Sequence, residues 1–158
     1  MQLPGPATAA STARALHPSA PRPRTLATSI LEDIACGIAA GLVPGALDGR
    51  DAALERGAVR RHLVLATDAY DAWVMVWGPH ASTDAHDHDG SIGVVHVAQG
   101  RLVEVVSSID PAEAGEVREL GPATTSATGA IGAHVLTNPD DGPVVAVSVY
   151  SPPLDHDA

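Results

Sequence analysis

Two imidazoles two residues apart, His86 and His88, and a third at His134 are the residues of this chain best suited to chemistry. In extended backbone, successive side chains point to opposite faces, so an i, i+2 pair shares one face and can serve one metal ion. A third imidazole from a later strand completes a facial set and leaves other coordination positions open. That is the plan of a catalytic centre. His134 stands in Ile131-Gly132-Ala133-His134-Val135-Leu136, an imidazole within an apolar run. Alone it reads as a satisfied core histidine; beside His86-Asp87-His88, metal ligation becomes the better reading. His17, His62, His80, His96 and His156 have no partner at ligand spacing and read as surface or hydrogen-bonded histidines.

Cys36 is the only cysteine, so a disulfide within the chain is impossible and a thiolate-rich metal site is excluded. Any metal is held by nitrogen and oxygen. Cys36 itself reads as a small buried apolar residue. Three imidazoles alone suit zinc, copper or nickel as well as iron.

The elements that must position these residues follow from the apolar pattern. Ile30, Leu31, Ile34 and Ile38 recur at helical spacing, with Thr28 and Ser29 as an N-cap and Gly41 and Pro44 as stops. A second short helix is expected over 51–58. Beyond it the period changes. Segments 62–66, 70–77, 91–98, 101–107, 132–137 and 144–150 are short and rich in β-branched or aromatic residues, and turn formers separate them. Gln99-Gly100 predicts a tight hairpin between two of these segments. The expected fold is mainly β, a small antiparallel barrel or jelly roll (about 60–154) with a helical N-terminal cap (about 27–58). Residues 1–26, rich in Ala, Pro, Ser and Thr, are expected to form a disordered tail, leaving one domain over 27–158.

Composition narrows the partners. The formal charge is −10, and all nine cations are arginine. A basic nucleic-acid footprint is absent, and attraction to an anionic membrane is not expected. No apolar run approaches the roughly 18–20 residues that span a bilayer, and the N-terminus lacks the apolar stretch of a signal peptide. The expectation is a cytoplasmic protein, monomeric or a small homo-oligomer. With no phenylalanine, its core must be built from Val, Leu, Ile and Ala.

Trp77-Gly78-Pro79, Thr83, His86-Asp87-His88, Gly93, Gly100, Leu102-x-Glu104, His134-x-x-x-Asn138 and Tyr150-Ser151-Pro152-Pro153-Leu154 together resemble the cysteine dioxygenase type I family of cupins. The resemblance spans about 61–154. It implies one Fe(II) held by His86, His88 and His134. It also implies a reaction in which a thiolate and O2 meet at iron and sulfur takes both oxygen atoms, giving a sulfinic acid. Most cupins add a glutamate five residues after the second histidine, where this chain has Gly93. An all-imidazole set leaves the ion its full charge and favours an anionic thiolate.

The resemblance further implies an arginine for the substrate carboxylate, here Arg61, with Arg60 the alternative if the strand register slips by one. A planar guanidinium suits a carboxylate because it donates two parallel hydrogen bonds. Tyr150 is the implied phenol near the metal. The family commonly shows Ser, His and Tyr at alternate positions of the last strand. This chain has Ala146, Ser148 and Tyr150, so the usual relay is altered and Ser148 is its remaining hydroxyl. Some relatives cross-link this tyrosine to a cysteine at the place of Gly93, which is impossible here. Asp84, if it faces inward, can accept from a ligating imidazole, disfavour anionic substrates, or replace one histidine. Asp87 and Asn138 read as turn residues. Trp73 and Trp77, four residues apart on a strand, share a face and wall either the core or the cavity.

The leading expectation is an Fe(II)-dependent thiol dioxygenase acting on cysteine, with Tyr150 and Ser148 catalytic and with Arg61, Tyr150 and Trp77 holding substrate. A mercaptopropionate-type dioxygenase is the alternative substrate reading. A non-catalytic, metal- or ligand-binding cupin is the alternative class, favoured by Ala146 and Ser148.

Overall fold

Leu31 and Ala35, four residues apart, are wholly hidden from solvent and show which face of the first helix is used. The computed structural model describes residues 24–42, 54–107, 115–130 and 132–154. Its one described helix, α1 (Thr28–Gly41), ends at the expected glycine. Thr28 is already its first helical residue: Ala27 occupies the N-cap with no side-chain hydrogen bond, and Glu32 and Asp33 lie beyond the first turn. Ile34 and Ile38 pack beside Leu31, whereas Ile30 stays exposed. Full burial of Leu31 contributes about 1.5–3 kcal/mol.

Among the described residues eight strands follow: β1 (Val59–Ala66), β2 (Asp71–Trp77), β3 (Ile92–Gln99), β4 (Leu102–Val106), β5 (Glu116–Leu120), β6 (Thr125–Thr128), β7 (His134–Thr137) and β8 (Val144–Ser151). They form two antiparallel sheets, β1-β2-β8-β3-β6 and β5-β4-β7. Alternation divides the larger sheet between two cores. Met75, Trp77, Val95, Val97, Val144 and Ala146 face Leu102, Leu120 and Leu136 of the smaller sheet. Ala72, Val74, Val76, Val145, Val147 and Val149 face α1. Because β2 and β8 are covered on both sides, they read as nearly unbroken apolar runs rather than alternating ones.

The structure corrects four further expectations. β3 and β4 lie in different sheets, so Gln99-Gly100 is no hairpin. Gly100 has φ +80°, and a Cβ there would come within 2.8 Å of Val144 Cγ2. Glycine is needed for a close crossing between sheets. Residues 54–58 are a turn with irregular backbone on either side, not helix, and β1 starts at Val59; 51–53 lie outside the described residues. β5 and β6 are strands that the apolar pattern does not mark. Cys36 is exposed rather than buried, its sulfur 3.4 Å from His96 Nδ1 on the outer face of β3. The proposed tail falls mostly on 1–23, and Pro44 also lies outside the described residues. No helix among the described residues is long and apolar enough to cross a membrane.

Candidate metal centre

Residues 82–86 extend the smaller sheet along β7. Ser82 bridges Thr137, and His86 bridges His134. His86 and His134 exchange backbone hydrogen bonds of 3.2 and 2.9 Å, which fixes both Cα positions. His86 thus sits in extended backbone, as the i, i+2 spacing requires, and His88 follows just before the turn at Asp89-Gly90. The three rings gather with centroids 4.7–5.5 Å apart.

Each ring is oriented by its surroundings. His86 Nδ1–H donates to the Asp84 carbonyl at 2.9 Å, leaving Nε2 as its lone-pair nitrogen. The side chain of Asp84 is exposed; its backbone does the orienting. His134 Nδ1–H donates to Glu104 Oε1 at 2.7 Å, so its Nε2 is also free to ligate. That nitrogen lies 3.2 Å from His88 Nε2. Two nitrogens bonded to one ion at about 2.1 Å stand roughly 3.0–3.4 Å apart, so the spacing fits a shared metal. One ligand atom from each histidine falls within 4.8 Å of the others. His88 is buried and its Nδ1 has no hydrogen-bond partner among the described residues. Desolvation, then repulsion from His134 and His86, lowers its pKa to about 4, so this ring is held neutral, as a ligand must be.

The cross-strand register explains Gly93. Gly93 stands opposite Tyr150 on β8 and Thr128 on β6. A Cβ on it would lie 2.5 Å from His88 Cε1, 2.6 Å from its Nδ1 and 3.1 Å from Tyr150 Cε1. The ring of His88 fills the space that a side chain at 93 would need.

Glu104 is the residue whose role the spacing of the histidines does not reveal. It is wholly buried on β4, yet charged groups at such depth occur only when paired. Oε1 accepts from His134 and, at 3.2 Å, from the Thr128 hydroxyl, while Oε2 accepts from the Ser126 hydroxyl at 2.5 Å. Arg118, directly opposite on β5, brings NH1 to 3.6 Å from Oε2. Burial pushes the carboxyl up, but the hydrogen bonds from His134 and Ser126 outweigh it, and the group ends below its ordinary value. Arg118 on β5 and Ser126 and Thr128 on β6 point to this carboxylate, and these polar side chains interrupt the apolar alternation of both strands.

A cavity of about 1050 Å³ opens over His86 and His88. Arg61, Trp73, Met75, Trp77, Leu136, Ser148 and Tyr150 line it, and Pro152, Pro153 and Leu154 wall one side. Asp71 on β2 holds that wall by accepting from Leu154 N–H at 3.3 Å. Ser151 donates to Ala69 O and accepts from Leu26 N–H, anchoring the same segment. Arg61 is exposed at the edge strand β1, in register with Met75 and Ala146, and Arg60 points to the other face. Burial raises the Tyr150 phenol, against which a hydrogen bond from Ser148 and the charge of Arg61 pull it down. Trp77 is buried, and its indole N–H has no partner among the described residues. Asp87 Oδ1 accepts from Asp89 N–H, and Asn138 accepts from Asp140 N–H while donating to Gly78 and Gly142; both serve turns, as expected.

The model of the family described as cysteine dioxygenase type I matches residues 50–157. Among solved structures, KdgF from Halomonas sp. is 20% identical with a TM-score of 0.56, covering 66% of this chain and 87% of that one. TT1209 from Thermus thermophilus is 20% identical with a TM-score of 0.54, over 64% and 92%. A cupin superfamily protein from Desulfitobacterium hafniense DCB-2 is 13% identical with a TM-score of 0.51, over 65% and 83%. At these identities the likeness carries the fold, which is that of a cupin.

Proposed function

The chain belongs to the cysteine dioxygenase type I family, and from that premise we propose an iron(II)-dependent thiol dioxygenase that converts cysteine, or a closely similar small thiol acid, to its sulfinic acid. The observation that carries this reading is the convergence of His86, His88 and His134, ligand atoms within 4.8 Å, beneath a cavity that also holds a guanidinium and a phenol. The donor set fits the metal. Its three donors are imidazole nitrogens with no carboxylate or thiolate among them, so no ligand offsets the ion's charge and an anionic thiolate is favoured. Held by His86, His88 and His134, iron would supply the redox chemistry that joins a thiol to O2. The overall change is balanced: one thiol and one O2 give one sulfinic acid, both oxygen atoms ending on sulfur, with no external reductant.

The chain's own residues bind and orient. Arg61 pairs with the substrate carboxylate through two parallel N–H donors. Tyr150, braced by Ser148, donates its phenolic proton toward the reacting sulfur and oxygen. Trp77, Trp73 and Met75 exclude water from the thiol's carbon chain. Small thiols and O2 are thus the partners, with no nucleic acid or membrane among them.

The test is to measure iron content and O2 uptake with cysteine, mercaptopropionate and cysteamine. Uptake with a carboxylate thiol, abolished by His86→Ala, supports the reading. Iron-replete protein silent toward all three replaces it with a metal-binding cupin without this activity, the alternative that Ala146 and Ser148 favour.

A further inference from the structure

Glu104 is the one wholly buried carboxylate among the described residues that touches a histidine of the metal centre, and its partners form a continuous chain to the surface. Ser126 donates to Oε2 and itself accepts from Arg118 NH1 at 3.1 Å. Arg118 NH1 also reaches the Ala127 carbonyl at 3.5 Å, and its NH2 is held by Glu116 at 2.6 Å in the open edge of β5. Thr128 spans the two ends, donating to Glu104 Oε1 with its oxygen 3.3 Å from His134 Nδ1.

This arrangement is costly as a fold device. Replacing a buried ionic group by packed apolar side chains is often neutral or stabilising, so Glu104 is poorly explained by stability alone. It is well explained by its effect on one imidazole. A carboxylate accepting from Nδ1–H selects the tautomer with Nε2 free, fixes the ring plane and raises the basicity of the ligating nitrogen. We infer that Glu104 is a positioning residue for His134, and that Arg118, acting through Glu104 and Ser126 from the protein surface, sets how tightly the centre holds its metal. The inference rests on the proposed function only in taking the three imidazoles as a metal centre.

The experiment titrates metal-free protein with Co(II), reading both affinity and the visible absorption of the bound ion, and measures denaturant unfolding of each metal-free variant. Glu104→Gln keeps the shape and removes the charge; it is expected to weaken Co(II) binding about 10–100-fold and to shift the absorption bands. Arg118→Ala is expected to weaken it about 3–10-fold in the parent protein and to have no further effect in Glu104→Gln, because its influence passes through the carboxylate. Should Glu104→Gln fail to fold, Ser126→Ala and Thr128→Val carry the test, each expected to loosen Co(II) while costing some metal-free stability but retaining the fold, since each removes one donor from the buried carboxylate; unchanged Co(II) affinity in both overturns the inference. Parent protein that takes up no Co(II) overturns the metal reading and the inference together. Parent protein that binds while Glu104→Gln binds equally well overturns the inference alone. Equal losses from Arg118→Ala in both backgrounds remove Arg118 from the chain of influence.

Discussion

A Cβ placed on Gly93 would lie 2.5 Å from Cε1 of His88, closer than real side-chain atoms approach. The two residues therefore compete for one space, and the imidazole holds it. Gly93→Ala is expected to push the His88 ring off its position and weaken metal binding at least about tenfold, the scale of disturbing a ligand's orientation. Metal titration of the purified variant checks this. Unchanged affinity would mean that the ring moves aside without losing its aim.

Arg61 stands at an edge strand with its side chain open to solvent, so its pairing with a carboxylate is partly screened. Arg61→Ala is expected to raise KM for carboxylate thiols about tenfold, or about 1.4 kcal/mol, with kcat little altered. Arg61→Lys recovers part of the loss, since it keeps charge but not the fork. Cysteamine, which lacks the carboxylate, is the control. Equal losses with cysteamine would take Arg61 out of substrate recognition.

What is legible in the sequence, and what is not, follows one physical divide. The histidine pair is legible because i, i+2 spacing has a single geometric meaning in extended backbone, and His86 does sit there, bridged to His134. The central strands are legible because burial on both faces leaves long runs such as Trp73-Val74-Met75-Val76-Trp77. β5 and β6 are not: Glu116-Val117-Arg118-Glu119-Leu120 turns Arg118, and Thr125-Ser126-Ala127-Thr128 turns Ser126 and Thr128, toward Glu104. Their pattern makes sense only once the buried carboxylate is known, and that depends on contacts between residues 22–30 positions apart. Cys36 departs from expectation because a cysteine's usual burial says nothing about which side of a helix it occupies. Gln99-Gly100 departs from it because the same glycine conformation serves a hairpin and a crossing between sheets.

Ser148 bonds the Tyr150 phenol and, with Arg61, restrains the rise that burial imposes on it. Tyr150→Phe is expected to lower kcat about 10–100-fold, the usual scale for a proton-handling side chain. Ser148→Ala keeps the phenol but frees its orientation, with a smaller loss, about 3–10-fold. It should also move any alkaline limb of the rate profile that reports the phenol to higher pH. Steady-state rates across pH for both variants decide the matter; a Tyr150→Phe enzyme with full turnover removes this residue from the chemistry.

The metal-free protein should lose stability as the solution is acidified, and His88 supplies the reason. Its folded-state pKa lies at about 4 against an ordinary 6.5, because burial and its two histidine neighbours disfavour the charged ring. Between these values the unfolded chain binds the proton and the folded chain does not, so stability is fully present above about pH 6.5 and falls as pH drops toward 4. The loss for this one group is on the order of 3 kcal/mol by pH 4. Denaturant midpoints of metal-free protein measured from pH 7.5 to 4 should show this slope, and His88→Gln should flatten it. Bound metal opposes the same protonation, since a ligating nitrogen has no lone pair to give. Adding Co(II) should therefore raise the midpoint most near neutrality and progressively less in acid. A slope that survives His88→Gln unchanged would assign the acid sensitivity to other groups.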